Sequence, residues 1–228
     1  MFQDRPVIAF DLDGTLVDTA PDLLNTLDHV LSAHGIAPVD REEARPMIGG
    51  GARLLIVRAL NRSGVVVSPD ELDTLNRQFL DHYAAHIADA SRPFPGLDAA
   101  LDRLQARGAV LAVCTNKLEY LARLLLDGLE MTSRFAAITG ADTYGIAKPN
   151  PLPLLSTITA CGGNAGRAVM VGDSGTDIAT AQAAGIPSVA VSFGYTETPA
   201  AELGANRLIH HFADLETALD DLLSSTGS

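Results

Sequence analysis

Short apolar runs recur along the chain at Val7–Phe10, Val110–Val113, Ala136–Thr139, Ala168–Val171 and Ser188–Val191, with a weaker one at Arg207–His210. They are bounded by turn-forming residues and lack polar alternation, as strands covered on both faces do. Between them the apolar spacing lengthens to three and four. Leu97, Leu101 and Leu104 predict a helix over Leu97–Arg107 that ends before Gly108, a residue suited to the left-handed C-terminal position. Leu118–Leu129, Pro151–Ala160 and Ser174–Ala184 read as three more helices. Proline opens the second of these, where a first turn tolerates it, and Gly185 closes the third. Strand–helix alternation of this kind predicts a parallel sheet with helices on both faces.

The stretch from Leu16 to Arg92 breaks the alternation. It offers helical patterns at Pro21 onward (Leu23, Leu24, Leu27, Val30, Leu31), at Ala52–Leu60 and at Glu71–Ala88, and no buried strand. An ordinary crossover is far shorter than this interval, so an inserted helical unit is the economical reading. The expected architecture is α/β: a Rossmann-like parallel-sheet core formed by residues 1–16 and 93–228, with a helical cap, 17–92, inserted after the first strand. Arg92-Pro93-Phe94-Pro95-Gly96 reads as a stiff return hinge. The small polar tail, Ser224–Ser228, is expected to fray.

Composition narrows the class. With 228 residues, 47% hydrophobic and 19% charged, the chain has ample material for a packed core. A net charge of −12 argues against nucleic acid and anionic membrane surfaces as partners. It leaves an anionic substrate open, because a divalent metal inverts the local field. Two cysteines, Cys114 and Cys161, form no disulfide framework and suggest a reducing compartment. No run approaches the length of a membrane span, and Met1–Pro6 lacks the basic region of a secretory signal, so a cytoplasmic protein is expected. Monomer and homodimer both remain open.

Chemistry collects at the ends of the apolar runs. Asp11-Leu12-Asp13-Gly14-Thr15 follows the first strand directly. Ligands bind at the carboxyl ends of parallel strands, and two carboxylates there repel each other unless a cation sits between them. A plain turn would account for Asp and Gly, but not for an acidic pair closing a buried strand. Gly172-Asp173-Ser174-Gly175-Thr176-Asp177 brings two more acids to the same edge. Asp173 could also cap the helix that follows. This hard oxygen set favours Mg²⁺. An EF-hand register fails, since Leu16 stands where the loop needs Gly. Gly-Asp-Ser-Gly is no protease signature without a placed His. Thr115-Asn116 ends the strand that begins at Val110 and fits either an anion site or a cap. Lys148-Pro149 precedes a helix, and a lysine there could neutralise a carboxylate and a transferring phosphoryl group.

In order and spacing these four pieces resemble the motifs of the haloacid dehalogenase superfamily of phosphohydrolases, over nearly the whole chain. DLDGTLVDTAPD (Asp11–Asp22), Thr115-Asn116-Lys117, Lys148-Pro149, Ile48-Gly49-Gly50-Gly51 and Phe193-Gly194-Tyr195 are similar to the phosphoglycolate phosphatase branch. The founding dehalogenases carry an aromatic residue where this chain has Asp13, a departure that favours phosphoryl transfer. The resemblance implies that Asp11 attacks phosphorus and becomes an aspartyl-phosphate. It further implies that Asp13 protonates the leaving oxygen and then activates water. Mg²⁺ would be held by the side chains of Asp11 and Asp173 and the backbone carbonyl of Asp13. Thr115, Asn116 and Lys148 would hold the phosphoryl oxygens. Asp177 would orient Lys148 or a metal-bound water. In the cap, Gly50 and Arg53 are candidates for substrate contact, with Arg53 set to meet a carboxylate, though a helix-capping turn fits the same residues.

The resemblance implies a small phosphorylated metabolite as substrate, with phosphoglycolate as the first expectation. A sugar-phosphate mutase would use the same core. A phospho-acceptor signalling module would also combine acids, Thr and Lys-Pro, but this chain is too long for one, the helical insertion has no place there, and Asp13 can activate water. His82 and His86 sit four apart like zinc ligands but lack the accompanying Glu, and read as a solvated helix face. Cys114 reads as core packing, His210-His211 as the end of a strand, and Asp18 as part of the outgoing hinge.

Overall fold

A computed structural model describes residues 5–225. In chain order, β1 (Val7–Phe10) is followed by β2 (Val17–Asp18), α1 (Ala20–Ala33), α2 (Arg41–Ala44), α3 (Ala52–Arg62), α4 (Pro69–Ala85) and β3 (Arg92–Pro93). Then come α5 (Leu97–Ala106), β4 (Val110–Cys114), α6 (Glu119–Gly128), β5 (Ala137–Thr139), α7 (Leu152–Ala160) and β6 (Ala168–Gly172). The chain closes with α8 (Gly175–Ala184), β7 (Ser188–Val191), β8 (Arg207–Ile209) and α9 (Leu215–Ser225). The main sheet is parallel throughout, in the order β5-β4-β1-β6-β7-β8.

Strand alternation assigns the two faces. Val7 and Ala9 of β1 join Ala112, Met170, Leu154 and Ile158 in one cluster, against α7. Ile8 and Phe10 join Leu97, Leu101, Leu121, Leu125 and Leu219 in the other, against α5, α6 and α9. Full burial of β1 on both faces explains its unbroken apolar run. Register then fixes the working edge. Phe10 lies opposite both Val113 and Val171, so Asp11 emerges level with Cys114 and Gly172. Asp11, Thr115 and Asp173 therefore leave three adjacent central strands at one end.

The segment between β2 and β3 is helical, as its periodicity predicts. α4 packs against α1 and α3, burying Leu75, Phe79 and Tyr83. It starts two residues earlier than its apolar pattern suggested. Ser68 caps it, and Glu71 Oε2 accepts from Ser68 N at 2.8 Å in a capping box, with Pro69 in the first turn. It stops at Ala85 rather than Ala88, with His86 as its cap.

The return linker is not a bare hinge. Arg92 and Pro93 form an antiparallel ribbon with Val17 and Asp18, pairing Val17 with Pro93 and Asp18 with Arg92. Two-residue strands have too few positions to show periodicity, so neither was readable. The one-turn α2 was unreadable for the same reason. The terminal α9 carried a legible spacing at Leu215, Leu219 and Leu222 that the reading above passed over. Ser224 and Ser225 belong to α9; residues 226–228, like 1–4 where the absence of a secretory signal was read, lie outside the described residues. Among the described residues no helix is long and apolar enough to cross a membrane.

One buried carboxylate fastens the ribbon to the first helix. Asp22 is 1% exposed and accepts from Ala90 N at 3.0 Å, Ser91 N at 2.7 Å and Ser91 Oγ at 2.6 Å. Asp22→Ala strands these donors and should lower stability by about 3 kcal/mol, read as a lower urea midpoint at unchanged slope. Asp22→Asn, which keeps one acceptor, should lose less.

Candidate active site

The acids at the sheet edge are buried, and this sets their chemistry. Asp11 is 6% exposed, Asp173 3% and Asp177 0%. Carboxylate oxygens of these three lie within 4.8 Å of one another. Desolvation pushes the Asp11 carboxyl up to about 6, against the pull of Lys148, with Asp177 and Asp13 adding to the rise. Burial, then Asp177 and Asp11, hold Asp173 well above the usual carboxylate range.

Lys148 is the cation in this cluster. Its Nζ lies 2.5 Å from Asp177 Oδ1 and 3.0 Å from Asp11 Oδ1. Burial opposes its charge, but Asp11 and Asp177 outweigh that and hold the ammonium above its ordinary value. The contact with Asp11 is a charge contact without hydrogen-bond geometry, and Asp11 Oδ1 is buried with no hydrogen-bond partner. Asp177 is fully used: Oδ1 faces Lys148, and Oδ2 accepts from Ser174 N at 3.1 Å and Ser174 Oγ at 2.7 Å. Its contact with Lys148 supplies the geometry that one of the two roles expected of it would need.

Asp173 does not cap α8. Ser174 takes that position, and the Asp173 carboxylate turns back to the β1 loop. There Oδ1 accepts from Thr15 Oγ1 at 3.2 Å and Oδ2 from Tyr195 N at 2.7 Å. Gly194 makes this approach possible, since a Cβ there would lie 2.2 Å from Asp173 Cβ. These observations fit a bound divalent cation. Three buried acids lie together beside one lysine, which meets Asp11 and Asp177 but not Asp173, and one inward oxygen lacks a hydrogen bond. The residues that could hold it are Asp11 and Asp173. Asp13 sends its carboxylate elsewhere, and the metal contact expected of it concerned only its backbone carbonyl.

That carboxylate faces Lys117, whose Nζ lies 2.9 and 3.0 Å from its two oxygens, and Thr19 Oγ1, which donates at 2.7 Å. Lys117 also donates to Tyr83 Oη at 3.1 Å and lies over the Tyr83 ring. Burial opposes the Lys117 charge, yet Asp13 and Tyr83 outweigh it and raise the ammonium. Burial likewise pushes the Tyr83 hydroxyl up to about 12, so Tyr83 stays neutral.

Thr115 and Asn116 are not helix caps; Leu118 stands at the start of α6. Thr115 Oγ1 accepts from Lys117 N at 3.2 Å. Asn116 clamps Lys148, donating to its carbonyl at 3.1 Å and accepting from its N–H at 3.0 Å. The Asn116 amide thus fixes the loop that carries the buried lysine.

Beside Asp13 a cavity of about 230 Å³ reaches to the helical segment, lined by Leu23, Ile48, Leu55, Phe79 and Leu121 together with Gly49, Gly50 and Gly51. Gly49 and Gly51 take φ of +117° and +85°, which other residues resist. Arg53 lines the cavity too, but its guanidinium is half exposed and forms an ion pair with Asp73 of α4.

Lys117, Tyr83 and Tyr195 carry contacts that residue-by-residue reading missed. Lys117 had a signal, a charge three residues past a buried strand, and Tyr195 stood in the Phe193-Gly194-Tyr195 string; Tyr83 had none short of the fold. Tyr195 joins the acidic cluster to the ribbon. Its hydroxyl donates to Asp18 Oδ1 at 2.5 Å and accepts from Ala20 N at 3.0 Å, and Arg45 pairs with Asp18 and stacks on its ring.

His82 is not simply solvated: it stacks on His29 at 4.0 Å and shares a hydrogen bond with Thr26. His210 lies one residue beyond β8, and His211 accepts from Ala213 N to start the next turn. Cys114 is fully buried, and desolvation pushes its thiol up to about 11, as packing requires.

Known proteins are similar to this chain in sequence and fold. A family model described as haloacid dehalogenase-like hydrolase matches residues 8–191. A phosphoglycolate phosphatase of Mesorhizobium japonicum is 48% identical over 219 residues, 96% of each chain. One of Agrobacterium fabrum is 45% identical over 223 residues, covering 98% of this chain and 96% of that protein. The crystal structure of a predicted phosphoglycolate phosphatase from Haemophilus somnus superposes with a TM-score of 0.87 at 29% identity, covering 93% of this chain and 97% of that one.

Proposed function

The chain belongs to the haloacid dehalogenase-like hydrolases, and from that membership we propose that it strips phosphate from 2-phosphoglycolate or a close relative through an aspartyl-phosphate, with Mg²⁺ as cofactor. It is a phosphoric monoester hydrolase. The observation that carries the finer reading is the pairing at the sheet edge. Asp11 presents a buried oxygen free of hydrogen bonds, with Lys148 3.0 Å away.

In this reading Asp11 attacks phosphorus, the bond to the ester oxygen breaks, and Asp13 delivers a proton to that oxygen. Asp13 then takes a proton from the water that cleaves the aspartyl-phosphate. Lys148, fixed by Asp177 and by the Asn116 amide, balances charge on the phosphoryl oxygens, and Thr115 binds one of them. Asp11, Asp173 and the carbonyl of Asp13 would hold Mg²⁺, which neutralises the repulsion between carboxylate and phosphate dianion. Residues 17–92 act as a cap over a core formed by 1–16 and 93–228, and closure excludes water. Gly50 contributes cavity wall. Two unpaired cysteines support a cytoplasmic location.

The test is phosphate release from a panel of phosphorylated metabolites, with Mg²⁺ and with a chelator. Release should require Mg²⁺ and be fastest with 2-phosphoglycolate. Equal release in chelator would remove the metal from this account. Preference for a phosphosugar would remove the substrate, and silence across the panel would remove the reading.

A further inference from the structure

We propose that Lys117 is the specificity residue of the cavity, reading a carboxylate on the carbon next to the ester oxygen, so that the substrates are phosphate esters of small 2-hydroxy acids. The proposal rests on the phosphatase reading, because it uses Asp13 to locate the leaving oxygen.

Position is the first argument. Lys117 lines the cavity together with Asp13, and its ammonium lies within 3.0 Å of both Asp13 oxygens. A leaving oxygen hydrogen-bonded to Asp13 therefore sits about one further hydrogen bond from Nζ. A group two bonds beyond that oxygen, where a 2-hydroxy acid carries its carboxylate, falls beside the ammonium.

Charge is the second. Arg53, the cation that the sequence suggested for this task, has a half-exposed side chain paired with Asp73. The Lys117 side chain is 5% exposed, and a buried charge discriminates far more strongly than a solvated one.

Availability is the third. Lys117 has three donors. Asp13 takes two contacts, and the remaining partner is the Tyr83 hydroxyl at 3.1 Å, which stays neutral. A substrate carboxylate replaces a neutral acceptor with a charged one, the stronger bond. Size agrees: about 230 Å³, much of it walled by apolar side chains, suits a leaving group of few atoms.

The experiment compares esters that differ only in this group: 2-phosphoglycolate, and ethyl phosphate, with methyl for carboxylate. The readout is the ratio of their kcat/KM values in Mg²⁺. Lys117→Met should lower that ratio about 100-fold, the value of one charge-assisted hydrogen bond. If both esters lose activity by the same factor, Lys117 acts only through Asp13 and the proposal falls. It falls equally if the ratio holds in Lys117→Met and drops in Arg53→Ala.

A binding measurement separates this from failure of the phosphatase reading. Calorimetry with 3-phosphonopropionate and propylphosphonate, in which a CH₂ replaces the ester oxygen, needs no turnover. The wild type should prefer the carboxylate analogue and Lys117→Met should not. If Lys117→Met does not fold, Tyr83→Phe frees the third donor and should raise that preference several-fold; no change or a fall overturns the proposal.

Discussion

Asp11→Asn should cut phosphate release by at least about 10⁴-fold and, in chelator, raise the melting temperature. The two effects have one origin. Asp11 is a carboxylate held where the fold pushes its carboxyl up to about 6, chiefly by burial. The folded state therefore binds the proton more tightly than the unfolded chain does. That makes the ionised group a stability penalty, absent below the unfolded value of 3.8 and fully developed above about 6. Asn keeps the shape and removes the charge, so the variant's advantage should grow between those two pH values and stay level above them. Activity assays with paired melting curves check both halves. A variant that loses activity and stability together would make Asp11 a structural carboxylate.

Lys148→Met should do the opposite to the fold. Removing the cation that faces Asp11 and Asp177 leaves buried carboxylates unpaired, a loss of about 3–5 kcal/mol in chelator. Turnover should fall about 10³-fold, since the transferring phosphoryl group loses a preorganised positive charge. Methionine preserves most of the volume, so the effect reports charge rather than packing. Added Mg²⁺ should recover more stability in the variant than in the wild type, because it replaces the missing countercharge. A variant as stable as the wild type in chelator would show that the acids are balanced by something other than Lys148.

Much of this was legible in the chain because the physics is local. A strand buried on both faces must be an apolar run, as Val7–Phe10 is, and a carboxylate that ends such a strand must lie at the sheet edge. Asp11, Thr115 and Asp173 could be placed on that basis. Contacts between distant segments could not. Nothing near Lys117 in sequence says that it meets Asp13 across 104 positions, or that Tyr83 lies beneath it. The same holds for Asp22, an apparently ordinary first-turn acid that binds the backbone 68 and 69 positions away. Asn116 shows the converse: its place at the end of the strand was legible, but its amide proved to be committed to the Lys148 backbone.

The ribbon bears on how this architecture can be altered. The helical segment leaves and rejoins the rest of the chain through the ribbon, where Val17 and Pro93 are paired neighbours. An excursion whose two ends lie side by side asks nothing of the sheet about its length or content. A foreign helical segment could be transplanted between those positions with the strand order intact. Its first demand would be to reproduce the seat that Asp18 and Ala20 give to the Tyr195 hydroxyl.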